Sequence, residues 1–253
     1  MPDVTLAGDR SGLVPQARTA GVRPVVLAIL HQLATVVTIL GACVVLLLTP
    51  LYVHPALDAA GAPASLGLSA AETHRLSDMT VAELLVGPGD FAFAGPDGAR
   101  FYDVAEASHM RDVRLVLQVF LALVAGSVAF LVASMRGARR QTPAWEHVAH
   151  GAGLLAVTVI ALGVFATVAF DTAFELFHRI LFPAGNWAFD PRSQRLVQLY
   201  PLPFWQITTA ALGTLAVAGG AVTWWLARRR AGSGWRGSLT SAARTARSTG
   251  SHR

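Results

Sequence analysis

Two Glu-x-x-His spacings stand out in this 253-residue sequence: Glu106 with His109, and Glu175 with His178. Three residues apart on a helix, a carboxylate and an imidazole share one face. Three kinds of chemistry are open to such pairs. They can be plain interfacial polarity at helix ends. They can hold a metal, as paired Glu-x-x-His motifs do in di-iron bundles, but those sites also take a Glu from each of two further helices, and the first and last apolar blocks here contain none. Or the two imidazoles can act as general acid and base, each steered by its carboxylate. Arg111, Asp112, Arg114 and Arg179 surround the pairs in sequence. These arginines either orient polar parts of a substrate or anchor to lipid phosphates. The remaining candidates are weaker. Cys43, the single cysteine, sits in mid-block and reads as a packing thiol. His31, His54, His74, His147, His150 and His252 read as satisfied or solvated side chains.

The elements that must position these residues are apolar. Hydrophobic residues make up 53% of the chain and charged residues only 14%, against about 25% charge in soluble domains, and the mean hydropathy is +0.50. Four blocks, 25–48, 113–134, 148–170 and 204–227, each approach the ~20 residues that span a bilayer. The first is too long for a signal-peptide core of about 7–15 residues and reads as a retained anchor. The chain is therefore expected to be an all-α membrane protein: a four-helix transmembrane domain over 25–227, with polar, disordered tails at 1–24 and 228–253. The net charge is +5 with no lysine. Arg10, Arg18 and Arg23 precede the first block, Arg136, Arg139 and Arg140 lie between the second and third, and Arg228, Arg229 and Arg230 follow the fourth. The positive-inside rule places those segments, and both termini, in the cytoplasm, with loops 49–112 and 171–203 outside. No basic patch carries base-stacking aromatics, so nucleic acid is not an expected partner.

The first outer loop is too long for a bare connector and is expected to form a small cap. Ser69 with Glu72, and Thr80 with Glu83, match the capping box that starts helices. The stretch after Thr80 predicts a short interfacial helix stopped by Gly87-Pro88-Gly89. Phe91, Phe93 and Phe101 around Gly95-Pro96-Asp97-Gly98 predict a β-hairpin. Trp145, Trp205, Trp224 and Trp225 mark the interfacial belts, and Gly41, Gly126, Gly163, Gly213 and Gly219 are expected at helix–helix contacts.

Two stretches resemble a known family. One is Glu106-x-x-His109-Met110-x-Asp112-Val113-Arg114. The other is Phe177-His178-x-x-x-Phe182, then Gly185-x-Trp187-x-Phe189-Asp190-Pro191, Leu196-Val197 and Pro201-x-x-Phe204. In order, spacing and topology they are similar to the bacterial lipoprotein intramolecular transacylases and the uncharacterised four-helix membrane proteins related to them. The resemblance implies a multi-pass protein of the bacterial cytoplasmic membrane with an extracytoplasmic active side. Its partners would be membrane lipids and diacylglyceryl-modified lipoproteins, and it would need no cofactor and no metal. The implied reaction moves the sn-2 acyl chain of such a lipoprotein onto the α-amine of its own N-terminal cysteine, giving a lyso-form lipoprotein. Carried over by motif, His178 is the base, and His109 polarises the ester carbonyl or exchanges the second proton. Asp112, Arg111, Arg114, Arg179, Trp187 and Asp190 support them. The Glu-x-x-His spacing adds the expectation that Glu106 and Glu175 fix the imidazole tautomers. The main rival is a non-catalytic membrane scaffold or assembly protein. A small transporter would want polar or broken helices at mid-membrane, which these are not.

Overall fold

The computed structural model of the chain describes residues 22–136 and 141–249, with side chains described over 22–136 and 143–232. In chain order the helices are α1 (Val22–Leu47), α2 (Pro50–Ala59), α3 (Ala62–Leu66), α4 (Ala70–Leu85), α5 (Val104–Met135), α6 (Gln141–Val168), α7 (Phe170–Leu181), α8 (Arg195–Leu199) and α9 (Leu202–Thr249). Four of them, α1, α5, α6 and α9, are long and apolar enough to cross a membrane. Their outward side chains, among them Leu115, Leu123, Leu154, Val157 and Leu162, are apolar and exposed, as suits a surface solvated by lipid.

The bundle is held by close approach of small residues. α6 lies along α9 over most of its length and packs also on α1, and Ile39, Cys43, Ala152, Leu155 and Ala216 fill the seam. A Cβ built on Gly151 would stand 2.7 Å from the Gln32 carbonyl oxygen and 2.8 Å from its Cα. Backbone atoms cannot step aside as a flexible side chain can, so only glycine fits there. Gly151→Val is expected to lower the detergent-solubilised protein's Tm by several degrees, measured by thermal unfolding; an unchanged Tm would show that the α1–α6 contact is slack. Of the glycines expected at contacts, Gly41 meets Val124, Gly213 meets Val159 and Gly219 meets Ile39, but Gly126 and Gly163 face no neighbouring helix. Glycine content alone does not say which side of a helix is turned inward.

At one end the polar loops build a cap around a second core, formed by Leu57, Leu66, Leu76, Phe91, Phe101, Tyr102, Leu199 and Phe204 with their neighbours. α4 begins at Ser69, whose hydroxyl accepts from the Glu72 amide at 3.2 Å. The second expected helix start is corrected. Thr80 lies inside α4, its side chain fully buried and donating to the Leu76 carbonyl at 2.9 Å. Glu83 instead accepts from the Gly89 amide at 2.6 Å. A capping-box pattern in mid-helix is read as a start only because the turns before it are polar.

The expected β-hairpin is also corrected. Gly95 N–H donates to Ala99 at 2.7 Å and Phe101 N–H to Phe93 at 3.0 Å, but the pairing stops at one bridge, Ala94 with Arg100, and no strand forms among the described residues. Gly98, at φ 77°, makes the turn. Phe91 leaves the extended region at φ 53° to bury its ring, and Tyr102 buries its own while the chain enters α5. The aromatics serve one core instead of alternating faces, so no ladder propagates.

Three helix boundaries bear on the site. α5 starts nine residues before the apolar block: Asp103 accepts from the Glu106 amide and Glu106 from the Asp103 amide, a complete capping box. Its 32 residues extend roughly 48 Å at about 1.5 Å each, so its first turns exceed a ~30 Å hydrocarbon core. α6 breaks at Ala169 (φ −138°, ψ 51°) and the chain resumes as α7, whose residues are all at least partly exposed. α9 continues through the expected polar tail to Thr249. A helix already nucleated in the bundle propagates through Ala- and Arg-rich sequence at little cost. Of the expected tails, residues 1–21 and 250–253 lie outside the described residues, as do Arg139 and Arg140 between the second and third blocks.

Candidate active site at the cap end of the bundle

His109 and His178 meet where α5, α7 and the segment before α8 converge. Their ring centroids are 6.3 Å apart with an interplanar angle of 31°. His109 is on the second turn of α5, 6% exposed. Phe182 and Phe189 close on it edge-first, at 4.8 and 5.6 Å. His178 is in the last turn of α7, with Phe174 at 4.1 Å and Trp187 at 5.1 Å. Two imidazoles thus share an aromatic enclosure at the cap end, built from sequence positions about seventy residues apart.

The hydrogen bond of His178 sets its tautomer. Nδ1 lies 2.8 Å from the Phe174 carbonyl oxygen, one helical turn back. A carbonyl only accepts, so Nδ1 carries the proton and Nε2 of the neutral ring is the bare nitrogen. Burial pushes the His178 pKa below the ordinary 6.5, partly offset by the bond to Phe174. The ring is therefore neutral at physiological pH, with Nε2 ready to take a proton.

Neither glutamate steers an imidazole, which corrects the expectation drawn from spacing. Glu106 is 1% exposed and both oxygens are committed: Oε1 accepts from the Leu196 amide and Oε2 from the Asp103 amide, each at 2.7 Å. It ties the start of α5 to α8. Glu175 is exposed and paired with Arg179 at 2.5 Å. Being three residues apart on a helix puts two side chains on one face, but a long glutamate chain reaches whatever donor the tertiary fold supplies.

Of the remaining expected residues, Asp112 accepts from the Asn186 side-chain amide at 2.7 Å. Trp187 walls His178. Asp190 turns the chain, accepting from the Arg192 amide at 3.0 Å and touching neither histidine. Arg114 donates to the Glu83 carbonyl and so braces the cap against α5. Arg111 is exposed, with no hydrogen-bonded partner among the described residues. Sequence reasoning missed Asn186, which has no helical spacing to either histidine. Its one signal is its place between Phe182 and Phe189, the two rings on His109. Among the described residues no three His, Cys, Asp or Glu side chains are grouped as a metal ion would need. Cys43 is buried in the helical seam. His54 and His74 stack at 4.2 Å and bond Asp78 and Asp58.

A sequence model described as lipoprotein intramolecular transacylase Lit matches residues 25–205. The chain belongs to this family. In fold, this Lit-family chain is similar to the solved structure of the membrane integral lipoprotein intramolecular transacylase Lit from Bacillus cereus. The TM-score is 0.71 at 17% identity, covering 85% of this chain and 99% of that one. It is also similar to the Bacillus cereus protein with a histidine replaced by arginine, with a TM-score of 0.63 at 16% identity, covering 86% of this chain and 96% of that one. An uncharacterised protein of Aquifex aeolicus (strain VF5) is 28% identical over 128 residues, 48% of this chain and 52% of that protein. The chain thus spans about half the length of the curated relative it matches. With its four apolar helices and membrane-integral Lit neighbours, this Lit-family chain is a multi-pass membrane protein.

Proposed function

We propose that this Lit-family chain moves the sn-2 acyl chain of a diacylglyceryl-cysteine lipoprotein onto that lipoprotein's own α-amine. The observation carrying this reading is the pair of imidazoles 6.3 Å apart inside one aromatic enclosure. The amine nitrogen attacks the ester carbonyl carbon and forms the C–N bond. His178 Nε2 takes the proton released from nitrogen. The tetrahedral intermediate collapses, the acyl C–O bond breaks, and the proton passes to the glyceryl oxygen. Products are an amide and a free hydroxyl, with no other reactant consumed. His109 either polarises the carbonyl through an N–H or holds the second amine proton. Nucleophile and ester belong to one molecule, so the enzyme's contribution is orientation and proton handling. The aromatic walls exclude water that would hydrolyse the ester.

The arginines support an orientation. Arg136 and Arg228–Arg230 lie at bundle ends away from the cap, and Arg229 stacks over Trp225 at 3.7 Å, an interfacial arrangement. That end faces the cytoplasm in this reading, and the cap and histidines face outward from a bacterial cytoplasmic membrane.

The test is mass spectrometry of lipoprotein N-termini from cells with and without the protein. An amide-linked chain that depends on the protein and on both histidines is the expected result. Its absence, or its persistence in His109→Ala and His178→Ala cells, would leave a scaffold role instead.

The pH profile is a second check. The substrate amine, with an ordinary pKa of about 7.7–8.0, must be neutral to attack, so the rate rises with slope one in log units up to that range. Protonating His178 removes the base, and its pKa is depressed, so a second unit of slope enters only below the histidine's ordinary 6.5. A second break at or above that value would contradict the buried, neutral ring.

A further inference from the structure

Among the described residues, two buried polar atoms beside the site complete no hydrogen bond of ordinary geometry: Nδ1 of His109 and Oδ1 of Asn186. They are complementary, since an imidazole N–H donates and an amide oxygen accepts. Asp112 follows His109 by three residues on α5, so the two share a face. Asn186 is bonded to Asp112 at 2.7 Å, and Phe182 and Phe189, on either side of it in sequence, both rest on the His109 ring. Asn186 is therefore held over the same face as His109. Its orientation is also fixed. A carboxylate only accepts, so the amide nitrogen must face Asp112 and the oxygen must turn away.

We propose that Asn186 is a positioning residue that sets the tautomer of His109, its Asp112-anchored oxygen accepting a hydrogen bond from His109 Nδ1–H. Placing an unprotonated Nδ1 against that oxygen would oppose two lone pairs, and leaving either atom alone costs a buried polar group its hydrogen bond. With the proton on Nδ1, Nε2 of His109 is bare, as it is in His178. Two bare Nε2 atoms can each accept one N–H of a neutral amine and aim its lone pair at the ester. This inference rests on the proposed transacylation and chooses between the two roles open to His109: its Nε2 accepts a hydrogen bond from the amine N–H that stays on the amide, and it does not polarise the carbonyl.

The experiment is ¹⁵N NMR of the full chain in nanodiscs with labelled histidine, resonances assigned through His109→Gln and His178→Gln. Wild-type His109 is expected to show a pyrrole-like Nδ1 and a pyridine-like Nε2. Asn186→Ala is expected to shift His109 toward the opposite tautomer and leave His178 unchanged, because the latter is set by Phe174. Asp112→Ala is expected to give the same shift, and Asp112→Asn, which keeps an acceptor, to restore most of the wild-type pattern. On diacylglyceryl peptide, Asn186→Ala is expected to lower kcat about a hundredfold with KM within about twofold. A wild-type His109 protonated on Nε2, or a tautomer indifferent to Asn186→Ala and Asp112→Ala, overturns the proposal. The NMR result stands without turnover, so it separates failure of this inference from failure of the transacylase reading.

Discussion

Replacing His178 with alanine is expected to lower kcat for acyl transfer on a diacylglyceryl peptide by about 10²–10⁴-fold, the usual worth of a positioned general base. The fold should survive the change. α7 has no buried residue, and the one hydrogen bond of the His178 ring is to its own helix, so Tm is expected to move little. His109→Ala is expected to be similarly slow. The double variant should be scarcely worse than the slower single variant, because groups that serve one proton-transfer event are not additive. The measurement is single-turnover conversion to the amide-linked product, followed by mass spectrometry. A His178→Ala rate within tenfold of wild type, in protein of wild-type Tm, would remove His178 from the proposed reaction.

Glu106→Leu is expected to produce the largest loss of stability among single changes near the site. The carboxylate accepts from two backbone amides, Leu196 and Asp103, and leucine leaves both donors without a partner in a position 1% exposed. An unsatisfied buried donor costs about 1–3 kcal/mol, so two cost roughly 2–6 kcal/mol. Glu106→Gln keeps one acceptor oxygen and presents N–H to the other donor, and is expected to fall between. Thermal unfolding in detergent and hydrogen exchange at the Leu196 amide report the effect. The two accounts of Glu106 part here. As a clasp between α5 and α8, it moves Tm and exchange while the acid break of the pH profile stays put. A shifted break with an unchanged Tm would restore the tautomer-fixing role that the spacing suggested.

The class of this protein was legible because lipid imposes a one-dimensional rule. A spanning helix needs about twenty apolar residues in a row, and each of the four blocks in the sequence falls on one of the four long helices found, the first overrunning its helix by one residue and the third by two. The two histidines stood out for a different reason: the same Glu-x-x-His spacing occurs twice, each time in a segment flanking an apolar block. Boundaries were less legible. Asp103 and Glu106 start α5 with a capping box that the sequence displays, yet the apolar block begins only at Val113, and hydropathy follows the block. The hairpin failed for a related reason, since alternating aromatics look the same whether they line a sheet or converge on one core.

The sequence by itself thus determined four apolar helices, a cap between the first two, and an imidazole near each of two helix ends, because these follow from composition and local spacing. Only the tertiary structure decided that the two rings share one aromatic enclosure, that Glu106 clasps α8 and leaves His109 alone, and that Asn186 bonds Asp112. Those contacts join residues 69 to 90 positions apart, and contacts at that separation are chosen by which surfaces packing brings together, which no local pattern encodes.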